Sequence, residues 1–225
     1  MINKMTNSKN ISSTSDFWTI QHVIYRNNFC KIDLLKTLLE NGNLKTQDQW
    51  VEYSKQAKTN NNFYVGDMPL YHSLFASLHK FWDKPETGKI RDFLQTQFKT
   101  KRIMTLTRIK YQTRGLDKII HNYKMPNEYL IEDDFVGPDE SIKNSNNKQN
   151  YKSLLDSDNL KEINSIYNWI TEKEIYLSRL NSRPNKEEEK PVKFYAELNY
   201  TDLNCFRGPS KSGSSIGVRV QNTNY

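Results

Sequence analysis

At 225 residues the chain can bury a sizeable core, and a 12% aromatic content excludes a disordered polymer even though only 36% of residues are hydrophobic and mean hydropathy is -0.85. The net charge of +7, from 33 basic and 26 acidic side chains, is spread over a mixed background, which describes a solvated surface better than a nucleic-acid footprint. Two distant cysteines, Cys30 and Cys205, and a polar leader over residues 1–15 argue against a disulfide framework, a secretory signal or a membrane span, so a cytoplasmic protein is expected.

Periodicity predicts a helical region over residues 16–100. Ser15 or Asp16 precedes Phe17-Trp18 with Ile20, Val23 and Ile24 as an apolar stripe, and Ile32, Leu35, Leu38 and Leu39 form a second stripe ending at Asn41-Gly42. Thr46 and Gln49 have the spacing of a capping box ahead of Trp50, Tyr53 and Ala57. Asp67 caps a fourth run, with Pro69 in its first turn and Leu70, Leu74, Leu78 and Trp82 in one row, and a fifth run carries Ile90, Phe93, Leu94 and Phe98.

From Ile103 the period changes to two, which predicts a strand, a turn at Arg114-Gly115, a second strand through Ile119 and Ile120, and a short one at residues 129–131. Residues 141–150 read as a long exposed loop, residues 158–170 as a helix opened by Asp158, and residues 175–180 as a strand. Residues 184–191 read as a linker. Beyond it Val192, Phe194, Ala196, Leu198 and Tyr200 alternate with Lys193, Glu197 and Asn199, and the rhythm resumes in Leu203, Cys205, Ile216, Val218 and Val220. The fold class expected is therefore α+β, a helical N-terminal half followed by a β-rich half over residues 101–225.

No motif here carries chemistry on its own. Gly213-Ser214-Ser215-Ile216-Gly217 has the letters of a nucleophile elbow, but a strand follows where a helix is required and no histidine comes after it, so its glycines read as turn residues. His22, His72, His79 and His121 lack metal-ligand spacing, and Asp133, Asp134, Asp139 and Glu140 do not fit a twelve-residue calcium loop. Lys99, Lys101, Arg102, Arg108 and Lys110 form the densest positive run. No glycine-rich phosphate loop is present, and no cofactor or metal is expected.

Phe194-Tyr195-Ala196, Leu203-Asn204-Cys205-Phe206-Arg207 and the terminal Ile216-Gly217-Val218-Arg219-Val220 resemble the close of C-type-lectin-fold proteins, in particular the variable target-binding proteins of diversity-generating retroelements and related formylglycine-generating-type domains. The resemblance implies a C-type-lectin-like C-terminal half, whose exposed positions vary at adenine-rich codons while an irregular β scaffold holds them. Asn199, Tyr200, Asp202, Asn204 and Phe206 would then face outward beside Ser210, Ser212 and Ser214 as ligand-binding residues, with Leu198, Leu203, Cys205, Ile216 and Val218 inside. Tyr, Asn and Ser suit such contacts, offering rigid area and adaptable hydrogen bonds. The expected function is a non-enzymatic binding protein for a protein or glycan ligand. A basic nucleic-acid-associated protein and an enzyme uniting distant residues are the alternatives.

Overall fold

The computed structural model describes residues 10–222. There the segment expected to open with two helices is β structure: β1 (Ile11–Ser13) pairs with β2 (Phe17–Tyr25), which forms a hairpin with β3 (Asn28–Leu38). The helical spacing has a local cause. The β2–β3 register shifts between Ile20 and Val23, where His22 takes φ +57, so the buried residues of β2 fall at Trp18, Ile20 and Val23 instead of every second position. A second shift, where β3 meets the last strand, sets the five residues from Leu34 to Leu38 against the three from Val218 to Ile216. Each bulge turns a two-residue period into an apparent three- or four-residue one. The hairpin closes on Arg26-Asn27, both with positive φ, the signature of a two-residue turn that matches strand twist.

The helices are α1 (Gln47–Thr59), α2 (Met68–Lys80), α3 (Pro85–Thr100), α4 (Lys148–Leu155) and α5 (Leu160–Thr171). The capping box of Thr46 and Gln49 forms, and Asp67 caps α2 through Leu70 N–H at 2.8 Å. The remaining strands are β4 (Tyr64–Val65), β5 (Ile103–Tyr111), β6 (Asp117–His121), β7 (Tyr129–Asp133), β8 (Glu140–Ser141), β9 (Glu174–Ser178), β10 (Glu188–Ala196), β11 (Tyr200–Asn204) and β12 (Ile216–Asn222). Among the described residues the protein is thus mostly β, twelve strands in two sheets, with helices spread along the chain.

This overturns the expected division into a helical half and a C-type-lectin-like half. One sheet has the order β1-β2-β3-β12-β4, so the C-terminal strand is built into the N-terminal sheet. The other runs β7-β6-β5-β10-β11-β9-β8, with β11–β9 its parallel pair. Residues 141–150 are also less exposed than expected, since Ile142 and Asn150 are buried and α4 begins at Lys148.

Phe194 of β10 lies at an aromatic centre, with its ring 4.6 Å from Phe98, 5.7 Å from Tyr71 and 5.9 Å from Phe75. Tyr71 also ties α2 to β12 by donating to Ile216 O at 2.6 Å and accepting from Gly66 N–H at 3.0 Å. His72, one residue on, is buried and stacks on Tyr167 at 5.8 Å. Burial lowers its pKa from 6.5 to about 4. Between those values the unfolded chain binds a proton that the native chain does not, so this residue removes stability as pH falls from about 6.5 to about 4, in all about 3 kcal/mol. His72→Phe is therefore expected to lose about 3 kcal/mol less than wild type between pH 7 and pH 4 in urea unfolding. Equal losses would exclude His72 as a source of acid lability.

Candidate functional site

The expected C-terminal face is only partly a surface. Asp202 and Asn204 do alternate with Leu203, which lies opposite Phe194 in the core, yet Asp202 is 1% and Asn204 2% exposed. Asp202 is flanked across its two neighbouring strands by Tyr195 and Tyr176. The chain after β11 folds back over Asn204, whose Oδ1 accepts from Arg207 N–H at 3.2 Å while its amide donates to Asp202 at 3.0 Å. Alternation separates Asp202 and Asn204 from Leu203, but the side they take is buried. Tyr200 is half-buried, whereas Asn199, Ser210, Ser212 and Phe206 remain exposed. Leu203, Cys205, Ile216 and Val218 are buried as expected. Leu198 is 85% exposed instead, because it sits in the turn that Glu197 N–H closes onto Tyr200 O.

Ser214 is buried and belongs to a clamp. Its hydroxyl donates to Gly42 O, Ser215 donates to Met104 O, and Gly213 O accepts from the Trp50 indole at 2.8 Å. A Cβ on Gly213 would stand 2.6 Å from Arg102 O and one on Gly217 2.7 Å from Leu39 Cδ2, so close approach requires both glycines. The acidic residues around Gly137-Pro138 are likewise used internally: Glu140 pairs with Arg179 at 2.8 Å, Asp139 accepts from Arg179 N–H, and Asp133 accepts from the Ser153 hydroxyl at 2.6 Å. Among the described residues no three His, Cys, Asp or Glu side chains converge as metal ligands. No described helix is long and apolar enough to cross a membrane.

A different site is assembled from loop ends. The β2–β3 hairpin supplies Tyr25, Arg26 and Asn28, the end of α1 supplies Lys58, Asn61 and Asn62, β4 supplies Tyr64, the segment after β6 supplies Asn122 and Asn127, and β12 supplies Arg219. Together they enclose a cleft of ≈ 620 Å³. Beneath it Asp67 is fully buried. Its Oδ1 accepts from Leu70 N–H, and its Oδ2 accepts from the Tyr25 hydroxyl and the Asn122 amide, each at 2.8 Å. The Asn122 amide also reaches Tyr25 Oη at 3.1 Å.

Burial raises the Asp67 pKa, opposed by the Leu70 N–H and the Tyr25 hydroxyl that donate to it. Burial, followed by the Asp67 charge, raises Tyr25 well above the usual phenol value. The cations on the walls differ in their partners. Arg219 is committed to Asp33, with contacts of 2.8 and 3.1 Å. Arg26 lies 4.0 Å over the Tyr129 ring and Lys58 4.4 Å over Tyr64, and neither meets a carboxylate within 4.0 Å among the described residues. Burial lowers the Lys58 pKa, with Asp67 acting in the other direction. Two cations and four asparagines, Asn122 being engaged in the floor, can bind an anionic group and satisfy hydroxyls, because an amide both donates and accepts.

His121 stands beside this floor with both ring nitrogens occupied. Nε2 meets Ser153 O at 2.8 Å, a carbonyl that can only accept, so Nε2 carries the proton. Nδ1 then accepts from the Thr107 hydroxyl at 3.0 Å, whose oxygen receives Met68 N–H at 2.9 Å. Burial lowers the pKa of this neutral ring.

Sequence reasoning recognised Asp67 as a helix cap and missed the cleft. The available signal was the concentration of Asn and Arg in residues 26–28, 60–62 and 122–127, but their convergence is tertiary. No protein-family model, no curated protein and no solved structure matches this chain.

Proposed function

We propose that this chain is a non-enzymatic binding protein whose cleft above Asp67 takes a hydroxylated, carboxylate-bearing ligand, an acidic saccharide. The observation that carries the reading is the meeting of Arg26 and Lys58, free of carboxylate partners among the described residues, with Asn28, Asn61, Asn62 and Asn127 around one cleft. A guanidinium and an ammonium match a carboxylate, and amides match vicinal hydroxyls. Tyr64, buried and with its hydroxyl taken up by Val220 N–H at 3.4 Å, adds an aromatic ring to the lining beneath Lys58. Binding is favoured over catalysis because the titratable groups of the floor are engaged with one another: both Asp67 oxygens and both His121 nitrogens are used.

Calorimetric titration with glucose, glucuronate and a short oligogalacturonate tests this. The acids are expected to bind and the neutral sugar to bind at least about tenfold more weakly, as expected for a charge-assisted pair. Arg26→Ala and Lys58→Ala should each cost about tenfold. Equal binding of neutral and acidic sugars, or no effect of either substitution, would contradict the reading.

A further inference from the structure

Lys193 lies on β10 between Met104 of β5 and Asn204 of β11, and it is only 1% exposed. Four other cations on or next to the strands of this sheet are matched: Arg108 pairs with Glu189, Lys110 with Glu187, Lys190 with Glu188 and Arg179 with Glu140. Lys193 has no such partner. Its Nζ donates to Lys211 O at 2.8 Å, and no carboxylate lies within 4.0 Å among the described residues. The carboxylate on the same face, Asp202, is turned to the Asn204 amide. Three more cations bear on Lys193: Arg102 at the entry to β5, and Arg207 and Lys211 in the loop after β11. Each is exposed and outside any ion pair among the described residues, Arg102 lying 5.3 Å over the Tyr195 ring and Arg207 5.1 Å over Phe206. Burial, then the repulsion of these three, lowers the Lys193 pKa to about 8.

A buried ammonium with one neutral acceptor, two further N–H groups to satisfy and three like charges around it is costly unless a counter-charge is supplied. A carboxylate of the protein does not supply it. We propose that Lys193, Arg102, Arg207 and Lys211 form a binding site for a phosphate group. A phosphate brings up to two negative charges and several acceptor oxygens, enough for the free Lys193 protons and a guanidinium fork together. The group has two possible sources of the same chemistry, inorganic phosphate or the backbone of a single-stranded nucleic acid, for which the neighbouring Tyr195 would add a ring surface.

The test follows the Lys193 Cε and Hε resonances of the full chain by NMR at pH 7.5, during titration with inorganic phosphate and separately with an oligothymidylate. Occupancy is expected to move the Lys193 titration upward by about one pH unit, since an opposite charge favours the ammonium. Phosphate should also raise Tm, and Lys193→Met should abolish that response while raising Tm without phosphate. Should Lys193→Met not fold, Arg102→Ala, an exposed position, is expected to weaken the phosphate response about tenfold or more. Oligothymidylate binding tighter than phosphate and displaced by it would identify a strand backbone. A response to phosphate alone would identify the free anion. A Lys193 resonance indifferent to both, or a phosphate response unchanged in both variants, would overturn the proposal.

Discussion

Asp67→Ala is expected to destabilise the protein by about 3 kcal/mol, a large part of the total stability of an ordinary domain. Two losses add. The helix cap to Leu70 N–H disappears, at about 1 kcal/mol. The Tyr25 hydroxyl and Asn122 amide, which now converge on Oδ2, are left without their shared acceptor, at about 1–3 kcal/mol. Relief of the buried charge offsets part of this, in keeping with the raised Asp67 pKa. Asp67→Asn separates the terms: asparagine caps as well as aspartate, but its amide nitrogen would face donors, so a loss of about 1–2 kcal/mol is expected. Urea unfolding of the two variants measures this, and a loss below about 0.5 kcal/mol for Asp67→Ala would mean that the floor is not held by this carboxylate.

Arg108→Met should cost a comparable amount, about 2–3 kcal/mol. Buried on β5, Arg108 donates to Gln47 Oε1 at 2.7 Å, to Tyr123 Oη at 2.6 Å and to Glu189 at 2.8 Å, and lies 3.7 Å over the Tyr123 ring. Gln47 in turn donates to Thr105 O and Thr107 O, so the guanidinium joins α1 to β5 and β10. The cost stays below that of a fully buried pair because Glu189 and Asp48 reach water once released, their side chains being 35% and 48% exposed. Arg108→Lys should recover less than half of the loss, since a single ammonium cannot serve three acceptors at these angles. Full recovery by lysine would show that charge alone, and not the planar fork, holds the network.

What the sequence displayed about this fold depended on whether local pattern and tertiary placement agreed. At Thr46-Gln49 and at Asp67 the cap chemistry is local, and both helices start where the residues say. Ile103 to Tyr111 and Val192 to Ala196 carry β-branched and aromatic residues in alternation, and both stretches lie in strands. Between Phe17 and Leu38 the same residue types are present, but bulges at His22 and between Leu34 and Leu38 rewrite the period, so the hairpin presents a helical stripe. Residues 148–155 hold few apolar positions, and the helix there is settled by burial of Tyr151, Leu154 and Leu155, which no local pattern announces.

The candidate site was less legible still. Asp67, Tyr25 and Asn122 are 42 and 55 residues apart along the chain and meet only because β2, α2 and the end of β6 converge. Asp202 and Asn204 failed as surface residues for a complementary reason: the two-residue period assigns a side of the sheet, but not whether that side is buried.

The most direct measurement for the central claim is a side-chain amide NMR titration of the intact chain with oligogalacturonate. The NH₂ signals of Asn28, Asn61, Asn62 and Asn127 line the cleft, whereas Asn199 lies in the β10–β11 turn. Saturable shifts in the first four with Asn199 unmoved are the expected result. Shifts centred on Asn199, or none at saturating ligand, would contradict a binding site above Asp67.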